Sequence, residues 1–371
     1  MKVRIGDLTK IRTGKLDANA SSETGEYPFF TCSKEPLKIS TYSYDCECVL
    51  VAGNGDLNVK YYNGKFDAYQ RTYIIENNSS GKICMLYLYY YMESYIEELR
   101  KQSIGGVIKY IKLGNLTDAL IELPSVYEQK AIVEILGKIK NIINKHNKEI
   151  SNLDELIKAR FVEMFGDPKI NPFNWTVVNI SKVLGGKVSN GFFAKRDAYV
   201  DNGNVSILGV ANVVNRMYSK IDKLPRINAD KKDIEKFEVK YGDMLFCRSS
   251  LVAEGIGKAS IVPENLQDKV LFECHVIRVP LDLNQCVPEF LQTLSTMDYF
   301  RNQVISNSKT ATMTTIGQDG ILKTKIILPP MEKQREFYCF IKQIDKSKFE
   351  VQKSLEKTQQ LYDSLMQKYF G

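Results

Sequence analysis

The sequence predicts an α+β protein in which two mixed globular parts are joined by two long helices. Three observations support this fold class: one segment occurs twice, each copy runs into a heptad pattern, and short β-branched or aromatic runs fill the remaining chain. An internal repeat constrains the architecture before any single motif does, because each copy must form a similar structural unit. We therefore expect two related units, each a globular head followed by a long helix.

The repeated segment reads LPSVYEQ at residues 123–129 and LPPMEKQ at residues 328–334. A constant offset of 205 residues aligns the copies without a gap, and it continues through both helical patterns to a terminal Phe-Gly pair in each. Proline suits the start of a helix and an acidic residue suits its first turn, so this element predicts where each helix begins. The offset pairs Leu123 with Leu328, Pro124 with Pro329, and Gln129 with Gln334.

These boundaries divide the chain into four segments. The sequence FGDPKINPF, which follows the first helical pattern, contains two prolines, a glycine, an aspartate and an asparagine, all of which favour the end of a helix. The predicted domains are a first head at 1–122, a central helix at 123–166, a second head at 167–327 and a C-terminal helix at 328–371.

Both helical segments carry an apolar stripe with heptad spacing, and each would form a helix about 60 Å long at about 1.5 Å per residue. We expect the helices to bury these stripes against each other as an antiparallel coiled coil, as a pseudo-two-fold relation between the units would produce, or against partner helices. Lys348 and Thr358 interrupt the second stripe, where they weaken the packing or mark a partner contact. The stripe residues are Ile132, Leu136, Ile139, Ile143, His146, Ile150, Leu153, Ile157, Arg160 and Met164, then Phe337, Ile341, Ile344, Lys348, Val351, Leu355, Thr358, Tyr362, Leu365 and Tyr369.

Each head contains short runs of β-branched and aromatic residues that alternate with glycine and asparagine turns, as expected for an α+β domain. The Asn63-Gly64 pair within LNVKYYNGKF is typical of a two-residue hairpin turn, so we expect a hairpin at 57–66. The predicted strand runs are VLVAG at 49–53, RTYII at 71–75, VSILGVANVV at 205–214 and HVIRV at 275–279.

Composition is that of an ordinary globular protein, with 44% hydrophobic and 26% charged residues. The apolar runs are too short to cross a membrane, and the N-terminus lacks a signal-peptide core, so we expect a cytoplasmic protein without membrane contact. The eight cysteines are then reduced thiols and, without nearby histidines, predict no metal site. A net charge of +7 permits DNA binding through local patches without requiring it.

The search for catalytic chemistry finds only weak resemblances. Gly53 and Gly55 follow an apolar run, as in a nucleotide or methyl-donor site, but the strand–turn–helix context is missing, so we interpret them as a turn. A nuclease metal site is imitated by Asp230 together with Glu238 and the two residues that follow it. The pattern is short and this region is rich in charged residues, so we attribute the match to chance. We interpret His275 as an imidazole packed in a strand, and we predict no catalytic residue.

Basic, amide and aromatic residues cluster near the predicted turns of both heads. Arginine and lysine pair with guanine edges, asparagine and glutamine pair with adenine, and small polar residues hold phosphates. For any single residue an ordinary solvated loop is the simpler interpretation, so the set as a whole is the hypothesis. The DNA-binding candidates are Lys60, Tyr61, Tyr62, Tyr69, Gln70 and Arg71 in the first head, and Asn190, Phe192, Lys195, Arg196, Asn212, Asn215, Arg216, Arg248 and Ser249 in the second.

Two variable heads, each ending in an LP-x4-Q element that leads into a long helix, resemble the specificity subunit of type I restriction–modification systems. The resemblance covers nearly the whole chain. It implies that each head is a target recognition domain for one half of a bipartite double-stranded DNA target, and that the two helices set the spacing. It also implies a role in spacing or partner docking for the repeat residues Leu123, Pro124, Gln129, Leu328, Pro329 and Gln334.

The same resemblance implies partners that carry the chemistry. Two methyltransferase subunits would dock on this chain, restriction and translocase subunits would join them, and S-adenosylmethionine, ATP and magnesium would bind to those partners. This chain would then hold no cofactor and would not be an enzyme. Two alternatives stay open: a DNA-recognising methyltransferase or nuclease in its own right, and a coiled-coil scaffold that does not bind DNA.

Overall fold

The computed structural model describes residues 2–310 and 313–371, without the side chain of Arg196. The chain divides into two compact units: unit 1 comprises Met1–Lys148 with Val351–Gly371, and unit 2 comprises Glu149–Glu350. Each unit therefore contains one head together with part of both long helices. Both heads mix helices with strands, which confirms the predicted α+β class.

Unit 1 begins with the first head and continues into the first long helix. Its strands are β1 (Lys2–Arg4), β2 (Thr9–Thr13), β3 (Tyr27–Phe30), β4 (Leu37–Ile39), β5 (Tyr44–Ala52), β6 (Val59–Ala68), β7 (Thr72–Asn77) and β8 (Leu120–Glu122). Its helices are α1 (Ile5–Leu8), α2 (Met85–Gln102), α3 (Leu113–Thr117) and the first part of α4 (Val126–Phe165).

Six of the described strands form one sheet in the order β2-β7-β5-β6-β3-β4. Because side chains alternate along a strand, Val49 and Val51 of β5 face the core shared with α2, whereas Cys48 and Leu50 face a second cluster on the opposite side. The head is closed by antiparallel pairing of its first and last strands, β1 and β8, where Val3 lies opposite Ile121. The LP element follows directly after this closing strand.

The prediction of a hairpin turn at Asn63-Gly64 was wrong. Both residues lie inside β6, where Asn63 pairs with Glu47 and Gly64 pairs with Cys46 in an unbroken antiparallel ladder. Gly64 has a φ of +138°, which a glycine adopts without strain, so the strand passes through this pair without turning. The chain instead turns between Ala52 and Val59, around the two glycines that the sequence had already indicated as a turn.

Unit 2 contains the second head. Its strands are β9 (Thr176–Asn179), β10 (Ser189–Asn190), β11 (Val205–Leu208), β12 (Arg226–Ile227), β13 (Met244–Cys247), β14 (Ser249–Ser250), β15 (Ala259–Ile261), β16 (Val270–Phe272), β17 (Val276–Val279), β18 (Lys309–Thr310), β19 (Thr314–Thr315) and β20 (Lys325–Leu328). Its helices are α5 (Val210–Val213), α6 (Lys231–Phe237), α7 (Pro288–Ser295), α8 (Asp298–Ser306), α9 (Gln318–Leu322) and the first part of α10 (Met331–Phe370).

The strands of unit 2 form smaller sheets than those of unit 1. The described strands pair in the orders β10-β17-β13-β15, β12-β11-β16, β14-β19-β18 and β20-β9. The predicted strand at 205–214 ends early at Leu208, because Asn212 accepts a hydrogen bond from the backbone of Gly209 and the chain enters the short helix α5. As in unit 1, the first and last strands of the head, β9 and β20, pair immediately before the second LP element.

Each predicted heptad stripe is the less exposed face of its helix, and all twenty predicted positions are buried or half-buried. Within unit 2, Asp154 pairs with Lys348 at 2.6 Å, and the Phe161 and Phe337 rings lie 5.5 Å apart. These two contacts show that α4 and α10 run in opposite directions in this unit. The ion pair also explains Lys348, which interrupts the apolar stripe because an aspartate on α4 receives its ammonium group.

Each long helix ends on an aromatic residue that packs into a head. Phe165 is fully buried in unit 2, where its ring lies 5.0 Å from the ring of Phe290 on α7. Phe370 lies in unit 1, 5.1 Å from the ring of Tyr87 on α2. The terminal phenylalanines of the two copies therefore pack on helices at matching positions in the two heads, Phe165 on α7 and Phe370 on α2. Within the described residues, the helices lack the combination of length and apolar character that a membrane span requires.

Candidate nucleic-acid interface and repeat elements

The first three candidate residues of head 1 lie on β6 and do not form one surface. Tyr61 packs toward α2, and its hydroxyl donates to Oε1 of Glu47 at 2.8 Å. Tyr62 packs on the opposite face of the sheet, 5.1 Å from the ring of Phe30. Lys60 donates a hydrogen bond to Asn58, and burial lowers the pKa of its ammonium group. Strand alternation therefore separates residues that are adjacent in the sequence.

The other three candidates of head 1 lie together at the turn that joins β6 to β7. Gln70 is exposed, and its Nε2 donates to Oδ1 of Asp17 at 2.8 Å. Arg71 is exposed, while its carbonyl accepts from the backbone of Gly53 at 2.8 Å. Tyr69 is half-buried beside them. This turn brings an amide and a guanidinium to the surface next to the β5–β6 turn, an arrangement that suits base or phosphate contacts.

In head 2 the first candidates surround β10 and the segment that follows it. The ring of Phe192 packs 5.8 Å from Phe237, so this aromatic residue contributes to a core instead of a stacking surface. Asn190 is half-buried, and its Oδ1 has no hydrogen-bond partner among the described residues. Lys195 is exposed, and the side chain of Arg196 lies outside the described part of the chain.

Arg248 and Ser249 lie beside His275, which corrects the interpretation of that histidine. His275 is exposed in the turn before β17, and its Nδ1 lies 3.2 Å from Oγ of Ser249. The prediction of an imidazole packed in a strand was wrong, because the strand begins one residue later, at Val276. Arg248 donates through Nη1 to the carbonyl of Cys274 at 3.1 Å. The structure thus brings three polar side chains together from two segments, residues 248–249 and the turn before β17.

Of the remaining candidates, one has a structural role and two line a cavity. Asn212 caps α5, so its amide is used within the head. Asn215 and Arg216 line a cavity of about 530 Å³ in unit 2, together with Lys258 and Arg301. Sequence reasoning missed Lys258 and Arg301, because they lie 43 or more residues from Asn215 along the chain and share no motif with it.

Gln129, the last residue of the first LP-x4-Q element, is fully buried and makes three hydrogen bonds. Its Nε2 donates to the carbonyls of Lys82 at 2.9 Å and Pro124 at 3.0 Å. Its Oε1 accepts from the backbone N–H of Cys84 at 2.8 Å. Because Cys84 is the N-cap residue of α2, this single amide connects the start of the long helix to the start of the head's main helix.

Gln334 makes the same three hydrogen bonds in unit 2. Its Nε2 donates to the carbonyls of Gln285 at 3.3 Å and Pro329 at 2.7 Å, and its Oε1 accepts from the N–H of Val287 at 2.9 Å. Val287 is the N-cap residue of α7. Partner docking, which was predicted for the repeat element, requires a surface that these two buried side chains do not have. The structure gives both glutamines an internal role, joining each head to its helix.

The other repeat residues support the same joint. Leu123 packs against the core of unit 1 and Leu328 against that of unit 2, while Pro329 is buried. Ser125 and Glu128 form a reciprocal hydrogen-bonded cap at the start of α4, with Ser125 N donating to Glu128 Oε2 at 2.9 Å. These bonds from Ser125 lower the pKa of the Glu128 carboxyl, since they favour its charged form.

Residues that resembled a metal site have other partners. Asp230 accepts a hydrogen bond from the backbone of Asp233 at 2.7 Å and thereby caps α6. In the described part of the chain, His, Cys, Asp and Glu side chains do not gather in a group of three or more that could hold a metal ion.

The comparison with protein families matches nearly the whole chain. The family model for the type I restriction modification DNA specificity domain matches residues 1–153 and 172–361. These two ranges each contain one head and most of the helix that follows it. The match therefore recognises the same duplication that the LP-x4-Q elements mark.

Individual relatives carry the same description. The EcoDI specificity subunit of Escherichia coli is 38% identical over 156 residues, which are 42% of this chain and 34% of that protein, so the chain matches about a third of this relative's length. The MjaVIII specificity subunit of Methanocaldococcus jannaschii is 23% identical over 97% of this chain and 91% of that protein.

Two solved structures share the fold. The S subunit of a type I restriction-modification system from M. genitalium has a TM-score of 0.57 at 13% identity and covers 100% of this chain and 96% of that chain. A structure concerned with complex assembly and conformational transition of the type I R-M system has a TM-score of 0.52 at 15% identity, covering 100% of this chain and 97% of that chain.

Proposed function

This chain belongs to the family of type I restriction modification DNA specificity proteins, and from that premise we propose that each head reads one half of a bipartite DNA target. The observation that carries the proposal is the complete duplication: two heads, each joined by the same buried glutamine to a helix of 40 residues. A protein built twice presents two reading surfaces, and different heads can read different half-sites.

The long helices act in this proposal as a coiled-coil spacer that sets how many base pairs lie unread between the half-sites. Their opposite directions within unit 2 and their half-buried stripes support the coiled-coil arrangement. One turn of B-DNA is about 34 Å, so two heads on a spacer can address two major-groove segments on the same face of the duplex.

Catalysis belongs to partners in this proposal. Two methyltransferase subunits dock on the chain and use S-adenosylmethionine, and restriction and translocase subunits use ATP and magnesium. The complex acts on DNA in the cytoplasm. The names of the relatives, which are specificity subunits, support a recognition role without catalysis for this chain.

The exposed polar turns of the heads are the proposed contact surfaces. In head 1 these are the exposed Gln70 and Arg71. In head 2 they are the exposed Lys195 and the half-buried Arg248 and Ser249. Tyr61, Tyr62 and Phe192 pack against the protein, which favours a role in holding these turns over direct stacking on bases.

The test is a head exchange read by methylation mapping. Residues 1–122 are replaced by the corresponding head of another family member, the hybrid is expressed with methyltransferase subunits, and the methylated adenines of the host genome are mapped. We expect one half-site to change and the other to stay the same. A change in both half-sites together would contradict independent heads. Methylation by the isolated chain with S-adenosylmethionine would show an enzyme, and an assembled complex that never binds DNA would show a scaffold.

A further inference from the structure

The two heads differ at one matched position on their main helices. The hydrogen bonds of the two glutamines and the aromatic contacts of Phe165 and Phe370 align α2 with α7 at an offset of 203 residues, so that Tyr87 matches Phe290. In this register Tyr90 matches Thr293 and Glu93 matches Thr296. Large side chains of α2 are therefore replaced by small ones on α7.

In unit 1 the position is filled. Glu93 pairs with Lys140 at 2.9 Å and accepts a hydrogen bond from the hydroxyl of Tyr362 at 3.2 Å. The ammonium of Lys140 also lies 4.6 Å from the centre of the Tyr89 ring, and the Tyr89 and Tyr90 rings are 5.2 Å apart. Aromatic rings and the Glu93–Lys140 ion pair therefore occupy the space where α2 contacts the long helices in unit 1.

In unit 2 the same position is open. The cavity of about 530 Å³ is lined there by Thr293 of α7, by Thr296 at the C-cap of α7, and by Asp154 and Lys158 of α4. This volume is within the range of small-molecule sites, about 300–1,000 Å³. Hydroxyl and charged groups form part of the lining, so the cavity can accept a polar ligand.

Three cations around this cavity lack an acidic partner. Arg216 donates to the carbonyls of Val214 at 3.2 Å and Ala211 at 3.4 Å, and Lys258 donates to the neutral amide of Asn215 at 2.7 Å. Arg301 donates through Nη2 to the carbonyl of Glu254 at 3.0 Å. Across the described residues, no carboxylate forms an ion pair with any of the three cations.

The guanidinium of Arg301 is the most informative of these groups. Its Nη1 is buried and has no hydrogen-bond partner among the described residues, and burial lowers the pKa of the group. A buried donor of a charged guanidinium left without an acceptor is costly, which indicates a missing acceptor in the cavity. The acids of the wall do not compensate it, since Asp154 pairs with Lys348 and Glu155 pairs with Lys158 at 3.2 Å.

We propose that this cavity, bounded by Arg216, Lys258 and Arg301, is a binding site for phosphate groups. Two guanidiniums and an ammonium supply the positive charge and the N–H donors that a phosphate ester binds. The phosphate comes either from a free nucleotide or from the backbone of the bound DNA. The second source rests on the proposed function, whereas the first does not depend on it.

The site is tested by placing a carboxylate in unit 2 at the position that matches Glu93 of unit 1. Thr296 is exposed at the mouth of the cavity, so Thr296→Glu introduces the carboxylate that Glu93 supplies in unit 1. Thr296→Gln has the same size without the charge and is the matched control. The full chain is titrated calorimetrically with ATP and with inorganic phosphate, and by fluorescence anisotropy with a random-sequence duplex at fixed salt.

We expect at least one probe to bind the wild type and Thr296→Gln equally, and to bind Thr296→Glu about tenfold more weakly or worse. A loss with ATP or phosphate identifies a free ligand. A loss confined to the duplex identifies the DNA backbone, with a shallower salt dependence in the variant. The proposal is overturned if no probe binds the wild type, or if no probe distinguishes the two variants.

Two further measurements keep these outcomes separate from misfolding and from the function of the heads. If Thr296→Glu unfolds, Arg216→Gln is compared with Arg216→Lys in the same titrations, with the same outcomes expected. If ATP binds at the cavity but the assembled complex methylates no defined sequence, the proposed function fails while the phosphate site stands.

Discussion

Gln129 and Gln334 stand 205 positions apart in the sequence, and each makes the same three hydrogen bonds inside its own head. Each side chain binds the carbonyl of the repeat proline, the N–H of a helix N-cap residue, and the carbonyl two residues before that N-cap. The repeated element is therefore a joint, in which one amide fixes where the head's main helix begins relative to the long helix.

Removing either amide should destabilise its own unit. Gln129→Ala and Gln334→Ala each deprive one N–H and two carbonyls of their hydrogen-bond partner, and we expect a loss of roughly 3 kcal/mol in the free energy of unfolding. Urea denaturation measures the loss. The exposed residues that follow each glutamine, Lys130 and Arg335, provide alanine controls that should change stability by less than about 0.5 kcal/mol. Equal losses for the glutamine variants and the controls would show that the glutamine hydrogen bonds do not stabilise the fold.

The two phenylalanines at the ends of the long helices should each stabilise one unit, and by different amounts. Phe165→Ala removes a fully buried ring from unit 2 and should cost about 3–5 kcal/mol. Phe370 is only half-buried, so Phe370→Ala should cost about 1–2 kcal/mol. Hydrogen exchange provides the measurement: protection should fall in α7 for the first variant and in α2 for the second. Loss of protection in the opposite head would contradict this assignment.

Unit 2 should lose stability as the pH rises, because of a buried acid. Glu289 is 1% exposed, and burial raises the pKa of its carboxyl although Tyr218 donates a hydrogen bond to it at 3.0 Å. Burial also raises the pKa of the neighbouring Asp345. A carboxyl whose pKa is higher in the folded state contributes full stability below its unfolded pKa, and that contribution is lost as pH rises through the folded value.

Glu289→Gln should weaken this dependence, with the part due to Asp345 left in place. We expect the Tm of the wild type to fall more steeply than that of the variant between about pH 4 and pH 8, since the variant has one buried carboxyl fewer to ionise. Thermal unfolding across this range measures the difference. Glu235→Gln, at an exposed position of α6, is the control and should follow the wild type. Parallel profiles for all three proteins would exclude the buried carboxyl as the cause.

Lengthening both long helices should change the spacer and leave the half-sites unchanged. Four residues, about one helical turn, are inserted between Lys148 and Glu149 and between Glu350 and Val351. Methylation mapping with partner subunits should then report the same half-sites at a new separation, because the heads are untouched. Alanine substitution of exposed neighbours without insertion is the control. An altered half-site at the original separation would show that the helices do not set the spacing.

The sequence predicts the helical parts of this fold well because their signals are local. Heptad spacing, the LP boundary and the Phe-Gly ends each depend on a few consecutive residues, and the less exposed face of each helix coincides with the predicted stripe. The same locality explains an error: Asn63-Gly64 has the composition of a turn, but pairing with the long strand β5 keeps it extended. A neighbouring strand overrides a local preference when its ladder continues past the pair.

The duplication, the α+β class and the resemblance to type I specificity subunits came from the sequence by itself, because a repeat at a constant offset is visible without coordinates. Only the tertiary structure decided which side chains share a surface. Strand alternation separated Tyr61 from Tyr62, and chain folding brought Lys258 to Asn215 across 43 residues. Such contacts join segments that are distant along the chain, and their geometry depends on how the whole head packs.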